Sequence, residues 1–423
     1  MKKTIWTILI LLLLQSLYAN DSDRLNFAKR LYNDKLYTES LNELNSIIFE
    51  SKNQSVVNES HFLIAEIYQT TNQDDRAESI YLQLLNEEAN SSPYIREKSL
   101  EKLGNIYRNQ NNWEKAQEYF KKLMTLYANT QTAKDNIIKY LESYLELRQY
   151  NDLIIVSRDL LKLYPTGNIQ ADIKLEMAKA YYEMKIISEA ELLINQIKNE
   201  FPDSRALPKS LELQIRIIKK NAGTLNAINE IKKHLKMQIN RNTEEILNKL
   251  LLDYQIEINN IADAKQTAEL LLSKFNLSND LDYYYLQWIK LNALLKTPYR
   301  VINDAENIAS IMNVSTHKKW ATFYLAENYF YANDLHQANS LINELESTST
   351  ENELLYEIIY LKARIFEKQA NYYMQLNTLN HLTQYYSSLG NNAKLLYEIA
   401  ETYQKHYEDP AQAILFYSQA LTL

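Results

Sequence analysis

Residues Ser99–Thr130 read SLEKLGNIYRNQNNWEKAQEYFKKLMTLYANT. This is the sequence of one helical hairpin, two helices joined by a short polar turn. Gly104 and Ala116 are small, whereas Tyr107, Trp113, Phe120 and Leu123 are large. Small residues let two antiparallel helices approach, and large ones fill the gaps beside them.

The pattern extends in both directions. Taking the small or apolar mid-position of each first helix as an anchor gives Ala28, Ala65, Gly104, Leu141, Ala178, Ile215, Leu252, Ile289, Ala326, Ala363 and Ala400. The spacing is 37 residues throughout, except for 39 between Ala65 and Gly104. Twelve residues after the anchor stand mostly small residues, among them Ser40, Ala77, Ala116, Ala190, Ala227, Ala264 and Ala338. Three residues after it stand Leu31, Tyr68, Tyr107, Tyr144, Tyr181, Ile218, Tyr329, Phe366 and Tyr403, one turn along the same face. A constant period over eleven units marks a solenoid in which each hairpin touches its neighbours. Only 4 Gly and 6 Pro in 423 residues leave little turn chemistry for a many-stranded sheet and none for a glycine-cradled nucleotide site. The fold class is all-α.

These residues and spacings resemble the tetratricopeptide repeat (TPR) family, whose unit is about three residues shorter. The excess falls after the second helix, at YANT, YPTG and FPDSR, where Pro165 and Pro202 stop the helices. Between residues 92 and 210 the chain is similar to bacterial envelope members of the family, of the type of the assembly lipoprotein BamD and the periplasmic coordinator associated with Tol-Pal. The resemblance implies a right-handed superhelix of about eleven hairpins over 20–423. The clearest repeats are 24–210 and 316–423, and 211–315 are degenerate: Gln255 and Asn292 stand where an aromatic is expected, and Pro298 begins a second helix. One continuous superhelix with a flexure around 274–300 is expected. In the last repeat the match of Ala413, Tyr417 and Ala420 needs one inserted residue near Glu408–Pro410.

At the N-terminus, MKKTIWTILILLLLQSLYAN has two lysines, an apolar run from Ile5 to Leu14 and a small Ala19. It reads as a secretory signal peptide, residues 1–19, because a bilayer-spanning helix needs about 20 apolar residues. An uncleaved signal that tethers the chain to the inner membrane is the alternative. Zero cysteines exclude disulfides and the lipid-modified cysteine of bacterial lipoproteins, so no lipid anchor is expected. Without Lys2 and Lys3 the formal charge goes from -7 to -9, which disfavours nucleic acid.

No catalytic constellation is legible. The six histidines form no HxxxH or HxH pair, so no metal or other cofactor is expected. No serine lies in GxSxG or SxxK, and Ser188 and Ser204 read as turn or cap residues. The carboxylate pairs Glu87/Glu88 and Glu398/Glu401 read as solvated helix faces. The resemblance implies that first helices line a concave binding face, with the residues one, four and five after each anchor pointing into it. Those are Asn105 and Arg108 in repeat 3, Lys179 and Tyr182 in repeat 5, Arg216 in repeat 6, and Phe330 and Tyr331 in repeat 9. The carboxylate clamp of some family members is not matched, since Glu101 stands in place of its lysine.

The expected function is a noncatalytic scaffold, exported to the periplasm or outer membrane, that binds another envelope protein or peptide. A peptidoglycan-associated helper, or the helical module of a lytic transglycosylase complex, is the second reading. The last helix, AQAILFYSQALTL, exposes more apolar surface than one preceding helix covers, so Phe416 and Leu421 are expected at an interface with a second copy or a partner.

Overall fold

In the computed structural model, which describes residues 20–86, 91–237, 239–312, 317–389 and 391–423, every anchor picked out by the period is buried. The signal segment 1–19 and the Glu87/Glu88 pair lie outside the described residues. Among those residues there are twenty-three helices and no strand.

They form eleven consecutive hairpins. Repeat 1 is α1 (Asp21–Asn33) and α2 (Tyr37–Glu50), repeat 2 is α3 (Gln54–Thr70) and α4 (Asp74–Asn86), and repeat 3 is α5 (Pro93–Asn109) and α6 (Trp113–Tyr127). Repeats 4, 5 and 6 pair α7 (Gln131–Glu146) with α8 (Tyr150–Leu163), α9 (Ile169–Glu183) with α10 (Ile187–Glu200), and α11 (Leu207–Ala222) with α12 (Thr224–Leu235). Repeat 7 is α13 (Arg241–Glu257) and α14 (Ile261–Lys274). Repeat 8 is α15 (Leu281–Leu294) with a second helix split into α16 (Tyr299–Asn303) and α17 (Ala305–Met312). Repeats 9 to 11 are α18 (Lys318–Tyr331) and α19 (Leu335–Thr348), α20 (Asn352–Lys368) and α21 (Tyr372–Tyr385), and α22 (Asn392–His406) and α23 (Pro410–Leu421). The chain is thus an all-α helical-repeat solenoid.

The period is written into the turns. Seven residues after the anchor the backbone is left-handed at Lys35, Asn72, Asn111, Arg148, Lys185, Asn259, Lys296, Asn333 and Ala370, with φ between 54° and 65°. The next N–H then reaches back to the carbonyl three residues after the anchor, as in Asn112 to Tyr107 at 2.8 Å and Ile186 to Tyr181 at 2.9 Å. This is the Schellman closure, which satisfies carbonyls orphaned at a helix end. In repeat 11 the left-handed residue is Glu408, eight after Ala400, so the inserted residue is absorbed in the turn. Repeat 6 departs from the rule by using Gly223.

Side-chain volume is shared between the two helices of a hairpin. A Cβ on Gly104 would lie 2.7 Å from the Phe120 ring, so only glycine fits opposite that ring. Phe120 stands sixteen residues after its anchor, and in repeat 4 the same two positions are Leu141 and Ser157, in repeat 7 Leu252 and Ala268. In repeats 4 and 7 a large anchor thus faces a small residue, which keeps the packed volume close to that of repeat 3, whereas in repeat 6 both positions are isoleucine, Ile215 and Ile231.

By internal packing the chain divides into two compact units, Met1–Ile217 and Ile218–Leu423. The division falls within α11, at the first degenerate repeat, and residues 274–300 lie inside the second unit. Each unit has a core strung along its hairpins. The first holds one cluster from Leu25 to Ile67 and a longer one from Ala65 to Ile217, and the second holds clusters centred on Tyr284, Phe323 and Leu379. Pro298 caps α16, as its position predicts, but a second break at Asp304 separates α16 from α17.

Candidate functional site

The first helices of successive repeats lie side by side and present a polar face. In repeats 2 to 4 that face is closed by rungs between neighbours. Lys102 on α5 donates to Glu66 on α3 at 2.7 Å, Lys139 on α7 to Asn105 on α5 at 2.8 Å, and Arg108 on α5 pairs with Glu142 on α7 at 2.9 Å. The register is regular: the residue two before an anchor meets the residue one after the previous anchor, and the residue four after an anchor meets the residue one after the next. Beside them Glu101 accepts from Lys98 at 2.9 Å and Asn136 at 3.0 Å. Burial pushes its carboxyl up, but these hydrogen bonds and the nearby cations outweigh that and hold it below the ordinary value.

The same register shows why the rungs stop. Between α7 and α9 the paired positions hold Glu142 with Glu176, two carboxylates, and Leu145 with Lys179; between α9 and α11 they hold Lys179 with Leu213, and Tyr182 with Arg216. The first three of these pairs cannot bond, and no ion pair of the kind seen in repeats 2 to 4 is available. Glu176 is 2% exposed and takes its one hydrogen bond from Lys179 at 2.7 Å, leaving Oε2 without a hydrogen-bond partner among the described residues. Burial raises its carboxyl above the ordinary range, with Lys179 working in the opposite direction.

Where the rungs stop, a depression of about 510 Å³ opens. Leu145, Glu146, Arg148 and Tyr150 line it from repeat 4, Lys179, Tyr182 and Glu183 from repeat 5, and Lys209, Glu212, Leu213 and Arg216 from repeat 6. A few hundred cubic ångströms, with an apolar floor and polar rim, is the size of an ordinary ligand or peptide subsite. Two of its cations are neutralised internally, Lys179 by Glu176 and Arg216 by Glu212 at 2.6 Å. Glu146, Arg148, Glu183 and Lys209 make no ion pair with any described residue.

The second unit treats its first helices differently. Arg364 on α20 reaches Glu327 at 3.4 Å and the Tyr331 hydroxyl at 3.0 Å, and its guanidinium lies 4.5 Å from the centre of the Phe330 ring. Tyr360 donates to Glu398 at 2.6 Å. Burial raises Glu327, Glu357 and Glu398 above the ordinary carboxyl value. A smaller depression, about 340 Å³, lies at the split helix of repeat 8 beside Trp288 and Arg300.

Of the residues expected to line a binding face, Lys179, Tyr182 and Arg216 come together in the depression. Asn105 and Arg108 are spent on rungs to α7. Phe330 does not line an open face: it is 4% exposed, packed in the core of repeats 9 and 10 and covered by Arg364 and Lys368. Tyr331 is half-buried and held by Arg364. Phe416 is also half-buried, stacked on Tyr403 with ring centres 5.7 Å apart, whereas Leu421 is 89% exposed. Ser188 is not a cap, since Ile186 takes that position without a side-chain bond, and Ser204 is buried with no hydrogen-bond partner for Oγ among the described residues. Asn112 does cap α6, accepting from Lys115 N–H at 3.3 Å. Residue types alone did not single out Glu146, Arg148, Lys209 and Glu212; the mismatch of Glu142 with Glu176 one repeat apart is the signal that points to them.

Among the described residues no cluster of three or more His, Asp or Glu is placed to hold a metal ion, and no helix is long and apolar enough to cross a membrane.

A profile of the family described as tetratricopeptide repeat matches residues 60–91 and 99–134. The match supports the TPR family on repeats 2 and 3, the latter being the hairpin around Gly104. No curated protein sequence matches the chain. Among solved structures, Naa15/Naa10 bound to HypK-THB aligns with 15% identity over 94% of this chain and 68% of that one, with a TM-score of 0.36. The APC/C hetero-tetramer Cut9–Hcn1 aligns with 13% identity over 96% and 88%, also at 0.36. A monomeric IFIT1 mutant with Gppp-AAAA aligns with 14% identity over 95% and 90%, at 0.31.

Proposed function

We propose that this chain is a noncatalytic scaffold that binds another protein through the first-helix face of repeats 4 to 6. TPR repeats suggest a protein-interaction role, and one observation carries the choice of site. The polar rungs that close the face between α3 and α7 lapse at α9 and α11, and there a depression opens whose Glu146, Arg148, Glu183 and Lys209 make no ion pair with any described residue. Groups kept in water without internal partners cost nothing to hold ready for a ligand, whereas Asn105 and Arg108 would have to break bonds first.

The place of action, on the same reading, is the periplasm or outer membrane, with the partner another envelope protein, as in the BamD and Tol-Pal coordinator type. What supports export is the signal-like run at residues 1–19. A second contact through α23 is supported by Ile414, Leu415 and Leu421, which are 68%, 47% and 89% exposed.

The test is affinity capture from envelope extracts with the wild type and with Tyr182→Ala/Arg216→Ala, both checked by circular dichroism. The partner should be captured by the wild type and lost by the variant at unchanged helicity. Equal capture by both would overturn the site. The first residue of the secreted protein, read by N-terminal sequencing, should lie near Asn20.

A further inference from the structure

We infer that α23 is a self-association surface, pairing antiparallel with α23 of a second copy of this chain. This commits the contact read above at α23 to one occupant and rests on that reading.

The helix has two unlike sides. Ala413 is buried, Phe416 stacks on Tyr403, and the Tyr417 ring lies 5.3 Å from that of Tyr397 with its hydroxyl donating to Gln404 at 2.9 Å, so this side is spent on α22. On the other side Ala411, Ile414, Ser418 and Leu421 are all exposed. Their spacing of three, four and three residues makes one stripe, the spacing by which helix packs on helix. Leu415 flanks it.

The order of sizes along the stripe, small, large, small, large, suits a second copy. In an antiparallel pair with a two-fold axis at the level of residue 416, Ala411 meets Leu421 of the second copy and Ile414 meets its Ser418, each contact being reciprocated. Every contact then sets a large side chain against a small one, as Phe120 is set against Gly104 within repeat 3. A parallel pair would set Ala411 on itself and Leu421 on itself, with a gap at one and crowding at the other. It would also bring Glu408 and Asp409 of the two copies together, whereas the antiparallel pair holds them about 20 Å apart at opposite ends.

Charge points the same way. Among the described helices α23 is the one with no Asp, Glu, Lys, Arg or His. A chain of formal charge -7 repels its own copies least where its surface is uncharged, and a partner selected by charge finds nothing on this stripe to pair with. Burial strands no hydroxyl either, because Ser418 donates to the Leu415 carbonyl at 2.7 Å. A helix of 12 residues is about 18 Å long, so the contact is smaller than the roughly 800 Å² per partner of a standard interface, and a micromolar dimer is expected.

The experiment is sedimentation velocity of the folded chain from about 1 to about 200 µM, which should show a monomer–dimer equilibrium. Ile414→Lys/Leu421→Lys should abolish the dimer at unchanged helicity, since both side chains are exposed. Ile414→Ser sets small against small and Ser418→Ile large against large, so each should weaken the dimer at least about fivefold. Ile414→Ser/Ser418→Ile again sets large against small and should return the affinity to within about twofold of the wild type. A chain monomeric throughout that range, a dimer that survives Ile414→Lys/Leu421→Lys, or a double exchange no tighter than the single changes would overturn the inference. If a monomeric chain captures a protein from envelope extracts and Ile414→Lys/Leu421→Lys loses it, the contact at α23 stands and only its occupant is rejected. Capture unchanged by that variant would reject the contact as well.

Discussion

At Gly104 the fold is decided by a few tenths of an ångström. The Phe120 ring occupies the space a Cβ would take, so Gly104→Leu should destabilise the first unit by about 1–3 kcal/mol, measured by urea unfolding. Repeat 4 solves the same problem in reverse with Leu141 and Ser157. Gly104→Leu/Phe120→Ser should therefore be more stable than the sum of the two single changes, and strict additivity would contradict the volume-sharing account. Anchors were legible because each must be small or apolar at a fixed interval. The left-handed turn was less so: Asn occupies it in four repeats, but Lys35, Arg148, Lys185, Lys296 and Ala370 carry no sign of positive φ. There the Schellman bonds of the hairpin impose the geometry on residues that do not favour it.

At the scale of the helix, α18 shows where sequence reading failed. Phe330 and Tyr331 are adjacent and both aromatic, and the TPR phase placed both on an open face. Instead Arg364 and Lys368 from α20 lie over the Phe330 ring and seal it, an interaction between residues more than thirty apart that no single-repeat pattern contains. Phe330→Ala should cost the second unit about 3–5 kcal/mol by loss of a buried ring. Tyr331→Ala removes a half-buried ring together with its contacts to Arg364, Lys296 and Phe330, and should cost less than Phe330→Ala because that ring is only partly buried. Comparable losses for the two in chemical denaturation would return Phe330 to the surface. The same limit hid the depression: Lys179, Tyr182 and Arg216 were found from the phase of single helices, but the rungs that occupy Arg108, and the repulsion of Glu142 and Glu176 that interrupts them, are relations between repeats.

Over the whole molecule the second compact unit, which holds more carboxyls raised by burial, should gain more from mild acid than the first. In the second, Glu327, Glu357 and Glu398 are held above the ordinary carboxyl value of 4.5 by burial. A raised folded value means the folded unit binds protons that the unfolded chain releases, so stability from these groups is complete below about 4.5 and declines as pH rises through the folded values. In the first unit Glu176 is raised by burial in the same way, whereas Glu101 lies below its ordinary value, and its contribution is present above about 4.5 and lost as pH falls further. Calorimetry from pH 7 to pH 5 should move the transition of the second unit upward relative to the first, and Glu357→Gln should reduce the movement. A relative shift in the other direction would contradict the assignment of these groups. The number and length of the repeats were readable from the 37-residue period alone. The position of the division between units was not, since repeat 6 keeps the period while losing the signature.

Binding at the first-helix face of repeats 4 to 6 is tested most directly by where a bound partner touches. A photo-crosslinking amino acid placed at Tyr182, on that face, and another at Ile155, which is 58% exposed on α8, would be activated in the presence of the captured protein. Crosslinks from position 182 and none from position 155 are the predicted result; crosslinks from 155 alone would contradict it.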